Sequence, residues 1–240
     1  MKLTGRMPQT GPLRRRPGTS AVGTVALCCV LGCIVAAIAV PLAPKASSQT
    51  LTAPATIDAM MEQLSRMPGL SARYREEKRI ALLAVPLVDE GTIHFTPPAK
   101  LVRHCLRPER VSVLIEGSRL TMGGPSGRES VDLGSNPVLR SFVEGFVHLL
   151  AGDRAELERS NRIRYEPAAD GSWRVSLEPR QRAVRHFIRY VRVCGRGLVI
   201  ERLDVAETSG DESVTTFTNV DTSRRYTRAE ISRIFRVPGR

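Results

Sequence analysis

Aromatic side chains are scarce in this chain of 240 residues: they make up 5%, with a single tryptophan, Trp173. Binders of single-stranded nucleic acid set aromatic platforms beside basic charge, and no such platform accompanies the charge here, which argues against that class. Metal-ligand spacing is missing too. The four histidines, His94, His104, His148 and His186, show no paired spacing, and beyond residue 48 no cysteine stands at ligand distance from another. There is no GxSxG, no P-loop and no GxGxxG. The glycine-rich stretch Gly123–Gly127 joins two strand-like segments and leads no helix that could cradle phosphate. Asp132, Glu144, Asp153 and Asp204 are scattered over separate elements. The expectation is a protein that binds rather than one that catalyses, with no cofactor and no metal.

Acidic residues are absent from residues 1–48, where Lys2, Arg6, Arg14, Arg15, Arg16 and Lys45 contribute six of the net +12 charges. Charge of either sign is absent from Ala21–Val40, AVGTVALCCVLGCIVAAIAV, which follows the basic run LRRR. That order is the n-region and h-region of a secretory signal. A run of about 20 residues is also long enough to cross a bilayer once. Small residues at Ala46-Ser47-Ser48 allow cleavage before Gln49. Residues 1–48 are therefore expected to be a signal peptide, with a retained N-terminal membrane anchor as the alternative. Either address puts the folded part outside the cytoplasm. Cys28, Cys29 and Cys33 fall in this segment, which leaves Cys105 and Cys194. In an oxidising compartment these two could pair, or they could sit as two separate buried thiols.

Residues 49–56 read as a polar linker, and 57–240 as one domain. Ile57, Met60, Met61, Leu64 and Met67 recur at helical spacing until Pro68-Gly69 stops them. From Leu70 the period becomes two. SARYREEKRIALLA reads as one long strand with Tyr74, Ile80 and Leu82 on a single face. Strands follow at 92–96, 101–106 and 110–116, joined by short turns, as in an antiparallel meander. Asn136 caps a helix that begins at Pro137 and carries Leu139, Phe142, Val143, Phe146 and Leu150 on one side. A second meander runs through 161–166, 173–177, 186–194, 198–206 and 214–220. TRAEISRIFRV closes the chain as a short helix followed by an edge strand. The pattern predicts a mainly β (α+β) fold of about ten or eleven strands with two or three helices. A sheet that wide, covered by so few helices, has an apolar concave face to fill, and an apolar ligand is one way to fill it.

The order of these landmarks resembles a known family. SARYREEKRIALLAVPLVDEGTIHFTPPAKLVRHCLRPERVSVLIEGSRLTM is similar to the opening sheet of LolA-type outer-membrane lipoprotein carriers. It has Tyr74 and Glu76 two apart, Gly91 among alternating apolars, a proline turn, Leu101 and Pro108, and a strand ending at Gly117. Gly152, Asp153, Trp173, Leu177 and Pro179 match later landmarks, and VIERLDVAETSGDESVTTFTNV resembles the closing strands. The likeness covers residues 57–222. It implies an incomplete antiparallel β-barrel whose helices form a lid over a hydrophobic cavity. It also implies a periplasmic monomer, without catalytic residues, that takes acylated lipoproteins or related acyl lipids from an inner-membrane exporter to an outer-membrane acceptor. Candidate cavity residues are Tyr74, Ile80, Leu82, Ile93, Phe95, Leu101, Val113, Ile115, Trp173 and Val175, and candidate lid residues are Met60, Leu64, Phe142 and Phe146. The turn Thr96-Pro97-Pro98 lacks the basic residue with which typical carriers latch the lid, and Arg103 stands where an aromatic is expected. Both departures point to a divergent carrier. The alternative function is a membrane-anchored periplasmic sensor or regulatory module that uses the same half-barrel to bind a partner protein or lipid.

Overall fold

The computed structural model describes residues 53–239. The expected signal or anchor, and residues 49–52 of the expected linker, lie outside the described residues. The rest forms one antiparallel sheet of eleven strands: β1 (Leu70–Arg79), β2 (Leu87–Thr96), β3 (Lys100–Arg107), β4 (Val111–Glu116), β5 (Arg119–Gly124), β6 (Gly127–Asp132), β7 (Asn161–Pro167), β8 (Ser172–Pro179), β9 (Ile188–Arg196), β10 (Val199–Glu207) and β11 (Glu212–Asp221). Their spatial order is β6-β5-β4-β3-β2-β1-β11-β10-β9-β8-β7. The first six strands thus lead outward from the centre to one edge. The last five start at the other edge and return, so that β11 pairs with β1 in the middle. The sheet does not close on itself, as an incomplete barrel requires.

The crossover between the edges decides where the helices lie. After β6, a short 3-10 turn (Leu133–Ser135) leads into α2 (Pro137–Ala151) and α3 (Arg154–Ser160), which carry the chain over the concave face to β7. The preceding helix, α1 (Ile57–Ser65), packs against α2. Both begin as capping chemistry dictates: the Thr56 hydroxyl accepts from the Ala59 amide at 3.2 Å, and the Asn136 side chain accepts from the Leu139 amide at 3.0 Å. Two further helices have no counterpart in the sequence expectation. Asp153 accepts from the Glu156 amide and starts α3, while α4 (Arg182–Arg185) is a single turn that delays β9 until Ile188.

The main core lies between the concave face and α1 to α3. It includes Met60, Leu64, Phe95, Leu120, Leu139, Leu149, Trp173 and Val175, all essentially sealed from water. Aromatic rings cover two strand glycines, as close backbone approach requires. A Cβ at Gly91 would stand 2.9 Å from the Tyr74 ring, its partner across β1 and β2, and 1.9 Å from the His104 carbonyl oxygen. A Cβ at Gly195 would stand 2.6 Å from the Trp173 ring.

The end of the chain differs from the expectation. The last helix, α5 (Arg228–Ile234), forms, but no edge strand follows it. Phe235 and Val237 instead fold onto the outer face of the sheet and bury Val102 and Leu114, with Tyr226 and Ile231 alongside. This is why β4 is buried on both faces, although strict alternation along 110–116 predicts one buried face.

Candidate functional site

Between the sheet and α2 lies a cavity of about 80 Å³. Tyr74, Ile93, Leu101, Val113 and Ile115 line it from the first meander, Leu203 and Phe217 from the second, and Phe142, Val143 and Phe146 from α2. Its wall is almost wholly apolar. Sites for drug-sized ligands run to roughly 300–1,000 Å³, and about 150 Å³ is needed for one benzene ring. A long acyl chain does not fit the cavity as it stands. Because α2 supplies its roof, displacement of α2 is the motion that would enlarge it.

The expected site residues divide into three groups. Tyr74, Ile93, Leu101, Val113, Ile115, Phe142 and Phe146 converge on the cavity. Phe95, Trp173, Val175, Met60 and Leu64 are buried in the same core but do not line the cavity. Ile80 and Leu82 must be corrected. Strand β1 ends at Arg79, both residues sit in the β1–β2 loop, and Leu82 is 94% exposed. The reason lies in β1 itself, where the inward positions after Tyr74 are Glu76 and Lys78. The strand's buried face carries charge and stops pairing at the point where an apolar face was expected to continue.

That charge forms a feature that no sequence motif announced. Glu76 and Asp89 are buried to 2% and 3% exposure and share one guanidinium. Arg103 Nη2 donates to Glu76 Oε2 at 2.5 Å and to Asp89 at 2.6 and 2.9 Å. The Ser213 hydroxyl donates to the other oxygen of Glu76. The Arg103 guanidinium also stacks on the Tyr74 ring at 4.3 Å, a cation–π contact. Burial works against the charge on Arg103, but Glu76, Tyr74 and Asp89 outweigh it and hold the proton well above the ordinary range. Burial pushes the Asp89 carboxyl up to about 6; Arg103 opposes this shift and the negative charge of Glu76 adds to it. Burial likewise drives the Tyr74 phenol far above its usual value. Glu76, Arg103, Tyr74 and Ser213 also border the cavity, so one end of an apolar space is polar. Glu76, Arg103 and Ser213 engage one another, whereas the buried Tyr74 hydroxyl has no hydrogen-bond partner among the described residues. Arg103 therefore ties β1, β2 and β3 together.

The cysteines are not paired. Both Cys105 on β3 and Cys194 on β9 are free thiols, and four strands lie between theirs in the sheet. His94 and His104 lie under the C-terminal helix. His94 Nδ1 is 3.1 Å from the Tyr226 hydroxyl, and His104 contacts the Ser112 hydroxyl and the Ile234 carbonyl, each at 2.8 Å. Among the described residues no group of three potential ligands could hold a metal, and no helix is long and apolar enough to cross a membrane.

The sequence matches the family described as outer membrane lipoprotein carrier protein LolA-like, over residues 50–230. No curated protein sequence matches. Similar solved structures include a DUF1329 family protein from Desulfovibrio piger (11% identity, 72% of this chain and 93% of that one, TM-score 0.44). A LolA superfamily protein, NE2245 from Nitrosomonas europaea, is 12% identical over 73% of this chain and 96% of that one, with a TM-score of 0.41. In the Pseudomonas aeruginosa MucA/MucB complex, one chain is 12% identical over 73% of this chain and 60% of its own length, with a TM-score of 0.42.

Proposed function

Because the chain belongs to the LolA-like family of outer membrane lipoprotein carrier proteins, we propose that it is a periplasmic carrier. It shields the acyl chains of lipoproteins or related lipids beneath α2 and hands them from the inner to the outer membrane. It is not an enzyme. The observation that carries this reading is the apolar cavity enclosed between an open sheet and a crossover helix. Each buried methylene contributes about 0.8 kcal/mol, so a single acyl chain supplies ample affinity once α2 yields. Phe142, Val143 and Phe146 form the movable wall, and the ion-paired floor around Arg103 marks where the apolar space ends.

A fluorescent fatty acid tests the proposal. It should bind the purified protein and be displaced by unlabelled acyl lipid. Val143→Phe would fill the cavity from the helix side. Overpacking of this kind costs about 1–3 kcal/mol in stability and leaves folding possible. This variant should bind the probe at least tenfold more weakly. Absence of probe binding by the parent protein, or unchanged binding by Val143→Phe, would refute the carrier reading.

A further inference from the structure

The large hydrophobic side chains exposed among the described residues are Leu82, Leu83, Val85, Leu106 and Phe187. All five lie on one rim of the sheet. The β1–β2 loop holds Leu82, Leu83 and Val85, with 94%, 48% and 61% exposure. Leu106 stands one residue before the end of β3, and Phe187 immediately precedes β9. The register places these ends together: Lys78 pairs with Leu87, Glu90 with Arg107, Arg79 with Glu212, and Glu207 with Ile188. The loop is held in place, since the Leu83 amide donates to the Ile80 carbonyl and the Ala81 amide to Asp211. The opposite rim, at the turns of residues 97–99 and 117–118, exposes no large apolar side chain.

Arginines stand between these apolar tips. Arg79, Arg107, Arg110, Arg182 and Arg185 are exposed, and none of them has an ion-pair partner among the described residues. The acids of this rim are largely engaged: Glu207 holds Lys78, Glu212 holds Arg189 and Asp211 holds the loop, which leaves Glu109. From Leu106 on β3 to Phe187 beside β9 is five strand spacings, up to about 24 Å at 4.8 Å each.

We propose that this rim docks on the surface of an anionic lipid bilayer, with the β1–β2 loop, Leu106 and Phe187 entering the headgroup region and the arginines meeting lipid phosphates. A line of apolar tips that long, punctuated by cations, suits an extended negative surface better than a compact protein pocket. A second copy of the chain would bring arginine against arginine, so charge excludes self-association through this rim. The inference concerns how the protein meets a membrane and holds whatever the cavity carries.

Hydrogen exchange of the full-length protein with vesicles tests it, because a site-resolved readout separates the rim from any contact made by residues 1–52. Vesicles containing phosphatidylglycerol should slow exchange several-fold in 80–85, 106–110 and 182–187 and leave 99–100 and 117–118 unchanged. Pure phosphatidylcholine should protect the rim less. Substituting Leu82, Leu83 and Val85 together by serine should abolish the protection. Replacing Arg79, Arg107 and Arg110 by glutamine should abolish the preference for anionic lipid, and this second variant decides the matter if the first fails to fold. A rim whose exchange ignores vesicles, or whose protection survives both variants, overturns the proposal and leaves an acidic protein partner as the occupant to seek.

Discussion

Arg103, Glu76 and Asp89 place one cation and two carboxylates inside a fold otherwise held by apolar burial. The arrangement carries an electrostatic cost that depends on pH. Asp89 is raised to about 6 by burial, so its folded value lies above its unfolded one. Between about pH 4 and 6 the folded state then holds more protons than the unfolded state, and stability from this group falls as pH rises through that window. His94 works in the opposite sense. Its value is lowered to about 4, by burial first and then by His104 and Arg224, so its contribution is lost as pH falls from 6.5 to 4. The two effects run in opposite directions in the parent protein. Asp89→Asn should therefore unmask a steep loss of stability on acidification below pH 6, and His94→Gln should show stability rising toward pH 5. Urea unfolding at several pH values checks both, and parallel curves for parent and Asp89→Asn would contradict the assignment.

At the level of elements, α1 and α2 divide the work that a lid was expected to do alone. α1 buries Met60, Met61 and Leu64 in the core and touches α2, whereas α2 forms the cavity roof. Leu64 is 1% exposed, so Leu64→Asp forces a charge into a sealed core with no partner. The expected result is a loss of stability of 3 kcal/mol or more, by the order of magnitude for an uncompensated buried charge, rather than a folded protein that merely leaks lipid. Leu64→Ala should cost about 2–5 kcal/mol through the cavity it leaves. Chemical denaturation measures both, and a Leu64→Asp protein of parental stability would mean that α1 is not part of the core. The start of α2 was legible because capping is local: Asn136 and Pro137 announce it within three residues. The end of β1 was not legible. Alternation through Ile80 and Leu82 continued on paper, yet strand pairing depends on what lies opposite, and across from Arg79 the chain is already turning at Glu212.

For the whole molecule, the topology sets a sheet paired along its middle against a helical crossover that spans from one edge to the other. β1 and β11 pair along nearly their full lengths at the centre, and the outermost strands β6 and β7 are the unpaired edges that α2 and α3 connect. Motion should therefore concentrate in 133–160 rather than in the sheet. Saturating the protein with an acyl lipid should change exchange rates in α2 and leave β1 and β11 unaffected. Uniform protection across the sheet and helices would instead indicate a cavity filled without helix movement.

The sequence by itself determined the properties that depend on neighbours a few residues apart: the two meanders, the capped helix over Pro137, the glycine and tryptophan landmarks and the resulting family. Periodicity, capping and turn chemistry act over that range, so they survive in a one-dimensional reading. Only the tertiary structure decided where the apolar face of β1 gives way to charge and that β4 buries both of its faces. It alone brought Glu76, Asp89 and Arg103 from three strands onto one ion pair network, kept four strands between Cys105 and Cys194, and turned Leu82 outward to a rim shared with Leu106 and Phe187. Those outcomes depend on register between segments distant in the chain, where a single-residue shift exchanges inside for outside.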